Sequence, residues 1–365
     1  MTEQKEQTVA ADLTGAERHR SGERHHDVVV VGGGAAGLSA ALTLVRARRS
    51  VLVIDAGQPR NAPAAHVHTY LARDGVSPSQ LLAAGRAEVT GYGGEIVTGE
   101  VLAAERLAAG GFRVVLDDGS AVAADRLLVT TGLVDELPDV PGVAQRWGRE
   151  VLHCPYCHGW EVRDQAIGVL ATGPLAVRQA LLWRQWSKDV TLLLHTAPEP
   201  DDDAYERLAA RGIAVLDGAV TGLEVTGDRL TGVTLAGGRR LPCRALVVAP
   251  RFTARADVLT GLGLETAEQE ADGHALGTCV AADASGATAV PGVWVAGNVT
   301  APAEAVIGAA AAGMRAAEAI NADLIAEETR RAVVARRRPF SPGMEREVSA
   351  RVLGDRRHGL SPRPV

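Results

Sequence analysis

The chain has 365 residues, room for two or three domains of about 150 residues each, and its 46% hydrophobic and 22% charged content with a net charge of −6 describes a soluble globular protein rather than a disordered one. Lys5 and Lys188 are its only lysines and no Gly-Lys-Ser/Thr occurs, which argues against a P-loop that cradles a nucleoside triphosphate. Aromatic residues, at 3%, are too few for a surface that works by stacking bases or sugars.

Residues 1–25 alternate acidic, basic and polar side chains without an apolar stretch and read as a disordered leader, not a secretion signal, so a cytoplasmic location is expected. The uncharged run Val28 to Val45 is long enough to suggest a membrane helix, but Gly32-Gly33-Gly34 and Gly37 interrupt it, and no membrane span is needed. Val28–Val31 reads as a strand, Leu38 to Arg48 as a helix and Val51 to Ile54 as a second strand ending at Asp55, a complete βαβ unit. Short strands follow around the turn Asp117-Asp118-Gly119, closing on Arg126 to Thr131 before Gly132. A second βαβ pattern runs through Ile167–Ala171, the turn Thr172-Gly173-Pro174, a helix from Leu175 to Trp186 and a strand Val190 to Leu194. After a β segment at 213–249, Val293 to Asn298 and an Ala-rich helix from Ala305 to Asn321 suggest a return to the first domain. From Arg330 onward ten Arg stand against Glu345, Glu347 and Asp355; with the charges mixed and no aromatic interleaving, this reads as a surface extension with an amphipathic stretch near Met344 to Leu353, rather than a nucleic-acid tail.

Gly32-x-Gly34-x-x-Gly37 opens a helix directly after an apolar strand, where backbone N–H groups and the helix N-terminus can approach a pyrophosphate. Asp55, 18 residues beyond Gly37, stands where a carboxylate can hold ribose hydroxyls. NAD and FAD both satisfy this pattern. Cys154-Pro155-Tyr156-Cys157 is spaced for an internal disulfide or, with His153 or His158, for zinc; Cys243 and Cys279 are isolated, and a zinc site normally wants two ligand pairs, so redox chemistry is favoured and no metal is expected. His158 titrates near neutrality and can accept a thiol proton, whereas His153 is equally readable as structural.

Gly32 to Gly37 with Asp55, Thr130-Thr131-Gly132, His153 to Gly159 and Val295-Ala296-Gly297-Asn298-Val299 occur in the order found in the thioredoxin reductase-like flavoproteins, which the chain resembles over roughly residues 26–325. The resemblance implies an α/β fold of two Rossmann-like, doubly wound domains with the second inserted into the first, FAD as cofactor and a homodimer. It places the FAD domain at 26–147 and 246–325, a degenerate NAD(P)-like domain carrying the Cys-x-x-Cys at 148–245, and an Arg-rich extension at 326–365. It further implies that Gly32, Gly34, Ala36, Gly37, Asp55, Gly132, Gly297, Asn298, Val306 and Ile307 bind FAD. It also implies that Cys157 faces the flavin and Cys154 exchanges with substrate, while His158 stands where thioredoxin reductases often have an acid and, as an imidazole, can accept a thiol proton. Asn298 and Glu304-Ala305 stand where the family commonly has Asp and Arg-Gln.

The second nucleotide turn departs further. Ala171-x-Gly173-x-x-Ala176 puts a β-carbon at the tightest point, Pro174 removes a donor, and His195-Thr196-Ala197-Pro198 brings no Arg for a 2′-phosphate, which argues against NADPH; Arg178 and Arg184 read mainly as solvated helix positions. The pattern most resembles the dithiol oxidase branch, including enzymes that close disulfides in gliotoxin-type and holomycin-type compounds. Its partner would be a small-molecule dithiol or a thioredoxin-like protein, with no nucleic acid. A thioredoxin reductase driven by NADPH or another donor is the alternative, and a non-catalytic flavin-bound redox sensor is disfavoured because no helix-turn-helix pattern appears.

Overall fold

The computed structural model describes residues 23–271, 273–337 and 342–353. The expected leader therefore falls almost wholly outside the described residues, as do 338–341 and 354–365 of the Arg-rich segment. The first strand, β1 (Arg24–Val31), begins inside the span read as leader, because His25 meets Asp125 at 3.2 Å and Arg24 pairs in register with Val122 of the neighbouring strand.

After β1 come α1 (Ala35–Arg46), β2 (Val51–Asp55), α2 (Pro78–Gly91) and β3 (Glu95–Thr98), and then the meander β4 (Val101–Arg106), β5 (Phe112–Leu116) and β6 (Ala121–Val129). The sheet order is β3-β2-β1-β6-β5-β4. β3, β2, β1 and β6 run parallel, and Val28 to Val31 are buried on both sides, which is why they read as a continuous apolar run rather than an alternating one. The chain leaves this sheet through β7 (Leu133–Glu136).

The next elements are α3 (Val143–Arg146), β8 (Val151–Leu152), the one-turn α4 (Pro155–His158), β9 (Ile167–Leu170), α5 (Ala176–Trp183), β10 (Val190–Leu193), α6 (Asp202–Ala210) and β11 (Ala214–Leu216). A three-stranded antiparallel sheet follows, β12 (Val220–Thr226), β13 (Arg229–Leu235) and β14 (Arg240–Pro242), before β15 (Ala245–Val247). β11-β10-β9-β15-β8 form a second, all-parallel sheet with apolar clusters centred on Trp183 and Leu192 and on Leu170 and Leu246. β16 (Arg251–Ala254) then pairs antiparallel with β7, Arg251 opposite Glu136 through Ala254 opposite Leu133. After α7 (Asp257–Thr260) and the hairpin β17 (Thr266–Ala271) and β18 (His274–Val280), β19 (Val293–Val295) pairs in parallel with β6. The second Rossmann-like domain is thus inserted into the first.

The final helices are α8 (Val306–Arg336), longer than the expected helix, and α9 (Pro342–Leu353), over the stretch read as amphipathic. Contacts divide the chain after Glu318 into a large unit holding every described sheet and a small one that is helical in its described residues. Trp183, fully buried on α5, is the largest side chain in the core of the second sheet. Trp183→Ala is expected to cost about 3–5 kcal/mol, read as a lower denaturation midpoint in guanidinium chloride.

Candidate active site

A cavity of about 930 Å³ runs from Gly32, Gly34 and Asp55 to Cys154, Cys157 and His158. Its first end is set by backbone geometry. Gly32 has φ +102°, and a Cβ there would meet the Thr130 carbonyl oxygen at 2.6 Å. A Cβ at Gly37 would come within 1.9 Å of the Gly32 carbonyl oxygen, so Gly37 is the point where α1 seats on the turn and is itself absent from the cavity wall. Gly34 differs from both: a Cβ there meets nothing within 4 Å, and as N-cap of α1 it makes no side-chain cap, leaving first-turn amides for a ligand anion.

Asp55 accepts the Gly33 N–H at 3.2 Å and pairs with Arg86 of α2, which aims the carboxylate beside the turn. Arg86 has no signal in the sequence, because its partner lies 31 residues away. Ala36, Gly132, Gly297, Asn298 and Val306 also line the cavity. Ile307 does not, and is 40% exposed; consecutive helical side chains point about 100° apart, so Val306 at the first turn of α8 faces inward and Ile307 turns away. Asn298 Nδ2 donates to the carbonyl oxygens of Ala301, Pro302 and Glu304 at 3.0–3.2 Å. An Asp carboxylate could accept but not donate these bonds, which is a physical reason for Asn at this position. A cavity of this volume lined by both an open glycine cradle and a disulfide fits FAD.

At that other end Cys154 and Cys157 are joined as a disulfide, Cα–Cα 5.3 Å, across α4. Burial pushes the His158 imidazole below its ordinary range, with Glu161 opposing and His68 reinforcing the shift, so the ring is neutral at pH 7 and able to accept a proton. His153 stacks on Trp147 and meets Phe252 edge-on; burial first, then the Arg60 charge, pushes it down to about 4. Arg60 makes two bonds to Asp135, at 2.8 and 2.6 Å, and lies over the Phe252 ring, a half-buried pair between partners 75 residues apart that the sequence does not signal. Cys243 and Cys279 are free thiols, and burial pushes Cys243 up to about 12, which makes it inert.

The second nucleotide turn lies elsewhere. Ala171 is buried with its N–H donated to Leu193, and His195 Nδ1 accepts the Val220 N–H at 3.0 Å; none of Ala171, Gly173, Pro174 or His195 lines the cavity. Arg184 is engaged by the Arg211 and Ser187 carbonyls.

The sequence model of a family described as pyridine nucleotide-disulphide oxidoreductase matches residues 26–305. The chain is 31% identical over 313 residues to thioredoxin reductase sirT of Leptosphaeria maculans, covering 81% of this chain and 93% of that one. It is also 31% identical over 289 residues to thioredoxin reductase aclD of Aspergillus oryzae, covering 74% and 88%. Among solved structures, HlmI superposes with a TM-score of 0.81 at 49% identity over 88% of this chain and 99% of that one, and an oxidoreductase from Agrobacterium tumefaciens with 0.77 at 35% over 82% and 99%.

Gly34→Val is expected to keep the thermal stability of the apoprotein but to abolish FAD retention, measured as the flavin-to-protein absorbance ratio, because the added methyls enter only the ligand's space. Gly37→Val should instead lower stability as well. The depressed His153 pKa makes stability complete above about pH 6.5 and lost as pH falls toward about 4, since the unfolded imidazole takes up its proton first. His153→Phe should flatten that part of the melting temperature–pH curve.

Proposed function

Because the chain belongs to the pyridine nucleotide-disulphide oxidoreductase family, we propose that this FAD-dependent thiol–disulfide oxidoreductase works as a dithiol oxidase, closing a dithiol substrate to a disulfide with molecular oxygen as the final acceptor. The observation that carries the reading is the closed Cys154–Cys157 pair beside a neutral His158 in the same cavity as the glycine cradle. The inserted domain, by contrast, carries a buried Ala171 at its nucleotide turn, its N–H donated to Leu193, and its His195 accepts the Val220 N–H of β12. Electrons then enter through sulfur.

In this reading a substrate thiolate attacks Cys154, and Cys157 departs as thiolate. The second substrate thiol displaces Cys154, and His158 accepts a proton released by the substrate. Gly32, Gly34, Ala36, Gly132, Gly297, Asn298 and Val306, which line the cavity, would hold FAD, with Asp55 on the adenosine ribose, and Gly37 shapes that site from behind. Bound FAD would supply the two-electron acceptor, with molecular oxygen as the final acceptor and hydrogen peroxide as the product. The FAD domain is assigned to 26–147 and 246–325, the degenerate nucleotide domain to 148–245 and the extension to 326–365. A cytoplasmic homodimer acting on a small-molecule dithiol completes the proposal. No helix among the described residues is long and apolar enough to cross a membrane. The names of sirT and aclD favour one second reading, reduction of a thioredoxin-like protein by NADPH or another donor.

Anaerobic dithiothreitol should bleach the flavin within seconds, millimolar NADPH much more slowly, and admitted oxygen should restore the yellow form with peroxide. Cys157→Ser should block bleaching by dithiol altogether. Rapid stoichiometric bleaching by NADPH coupled to thioredoxin turnover would install the second reading.

A further inference from the structure

Oxidising a dithiol removes two protons as well as two electrons. Two S–H bonds break, one S–S bond forms in the substrate, and the Cys154–Cys157 bond breaks as it receives the electron pair. His158 can hold one of those protons. A second imidazole, His68, lines the same cavity from the loop between β2 and α2.

The surroundings of His68 are those of a base. Its Nδ1 lies 3.3 Å from Asp74 Oδ2, which, as a carboxylate, requires the ring hydrogen on Nδ1 and so places the ring's lone pair on Nε2. Nε2 is buried and makes no hydrogen bond among the described residues. Glu161 Oε1 lies 3.4 Å away, outside hydrogen-bond geometry but placed to pair with Nε2 once it is protonated. The titratable groups facing His68 are Asp74 on its own loop, Glu161 and His158 from the segment around α4, and His66, whose ring centroid is 5.8 Å away. The Thr69 N–H at 2.9 Å and the His68 ring hold Asp74 below the ordinary carboxylate range, so it stays ionised as the ring charges.

The loop is built around this pair. Val67 and Val76 close it by a β-bridge, and Thr69 and Ala72 sit at φ +60° and +66°, conformations that cost a non-glycine residue energy and persist where surrounding structure imposes them. The strained turn brings Asp74 back onto the ring five residues after Thr69.

We propose that His68 is a second proton acceptor for the substrate dithiol, taking on Nε2 the proton that His158 cannot hold. This rests on the dithiol-oxidising reading above. One substrate proton goes to each imidazole, the electron pair goes to the Cys154–Cys157 bond, and both cysteine sulfurs leave as thiolates, so atoms and charge balance. Asp74 and Glu161 are positioning residues that stabilise the charged ring from its two sides.

The test is anaerobic stopped-flow reduction of the holoenzyme by dithiothreitol, with alkylation of quenched samples to count reduced cysteines. His68→Asn keeps a donor toward Asp74 but removes the base. At pH 7 it should slow reduction by about 10²-fold, and the deficit should vanish near pH 10, where free thiols are already ionised. Added imidazole should restore part of the rate at pH 7. Asp74→Asn removes a charge that favours imidazolium, so the acid limb of the pH–rate profile should move to lower pH. A deficit equal at both pH values and unrelieved by imidazole, or an unmoved acid limb in Asp74→Asn, overturns the proposal while leaving the oxidase reading intact. A wild-type enzyme that dithiothreitol does not reduce overturns the oxidase reading and this inference with it.

Discussion

The antiparallel pairing of Leu133–Glu136 with Arg251–Ala254 is the constraint on which the site depends. These strands carry the chain out of the first sheet and back into it, so their register sets where the inserted sheet, and with it Cys154–Cys157, stands relative to the glycine turn. Four residue pairs are a short tether. They are braced by the Arg60–Asp135 pair, by Arg60 over Phe252 and by the contact of Phe252 with His153, so the strands are held by charge and aromatic packing in addition to backbone bonds. Because Asp135 and Phe252 lie on the two crossover strands and His153 immediately precedes Cys154, the brace runs directly into the redox segment.

Within the cavity, burial supplies one consistent electrostatic effect. It lowers the proton affinity of His153 and His158 alike, because a charged ring loses its water and gains no full counter-charge. Arg60 deepens the effect at His153, and its own charge is spent on Asp135. His158 is left neutral beside a disulfide, a state suited to taking a proton from a thiol. The same burial raises the Cys243 thiol, which disfavours its thiolate at neutral pH.

The glycines show how steric detail divides labour inside one motif. Gly32 and Gly37 are required by neighbouring backbone, while a Cβ at Gly34 would meet no protein atom within 4 Å. A motif read from sequence treats the three as equivalent; only the positions of Thr130 and of the Gly32 carbonyl tell them apart.

The sequence by itself determined the two βαβ units, the return of Val293–Val295 to the first sheet and the Cys-x-x-Cys between them, because each is written in local periodicity, glycine spacing or residue type over a few consecutive positions. Most of the site residues it named, from Gly32 to Val306, line the cavity, but they make up only part of a wall that also includes Arg60, His66, His68 and Phe252. What it could not determine were contacts whose partners are distant or whose direction depends on helix phase: Arg86 on Asp55, Arg60 on Asp135, Glu161 beside His68, and the outward turn of Ile307. A side chain's local sequence does not encode the identity of a neighbour tens of residues away. Only packing the inserted sheet against the first brings a histidine of the β2–α2 loop and the histidine after Cys157 into one cavity, and only there does burial change what each imidazole can do.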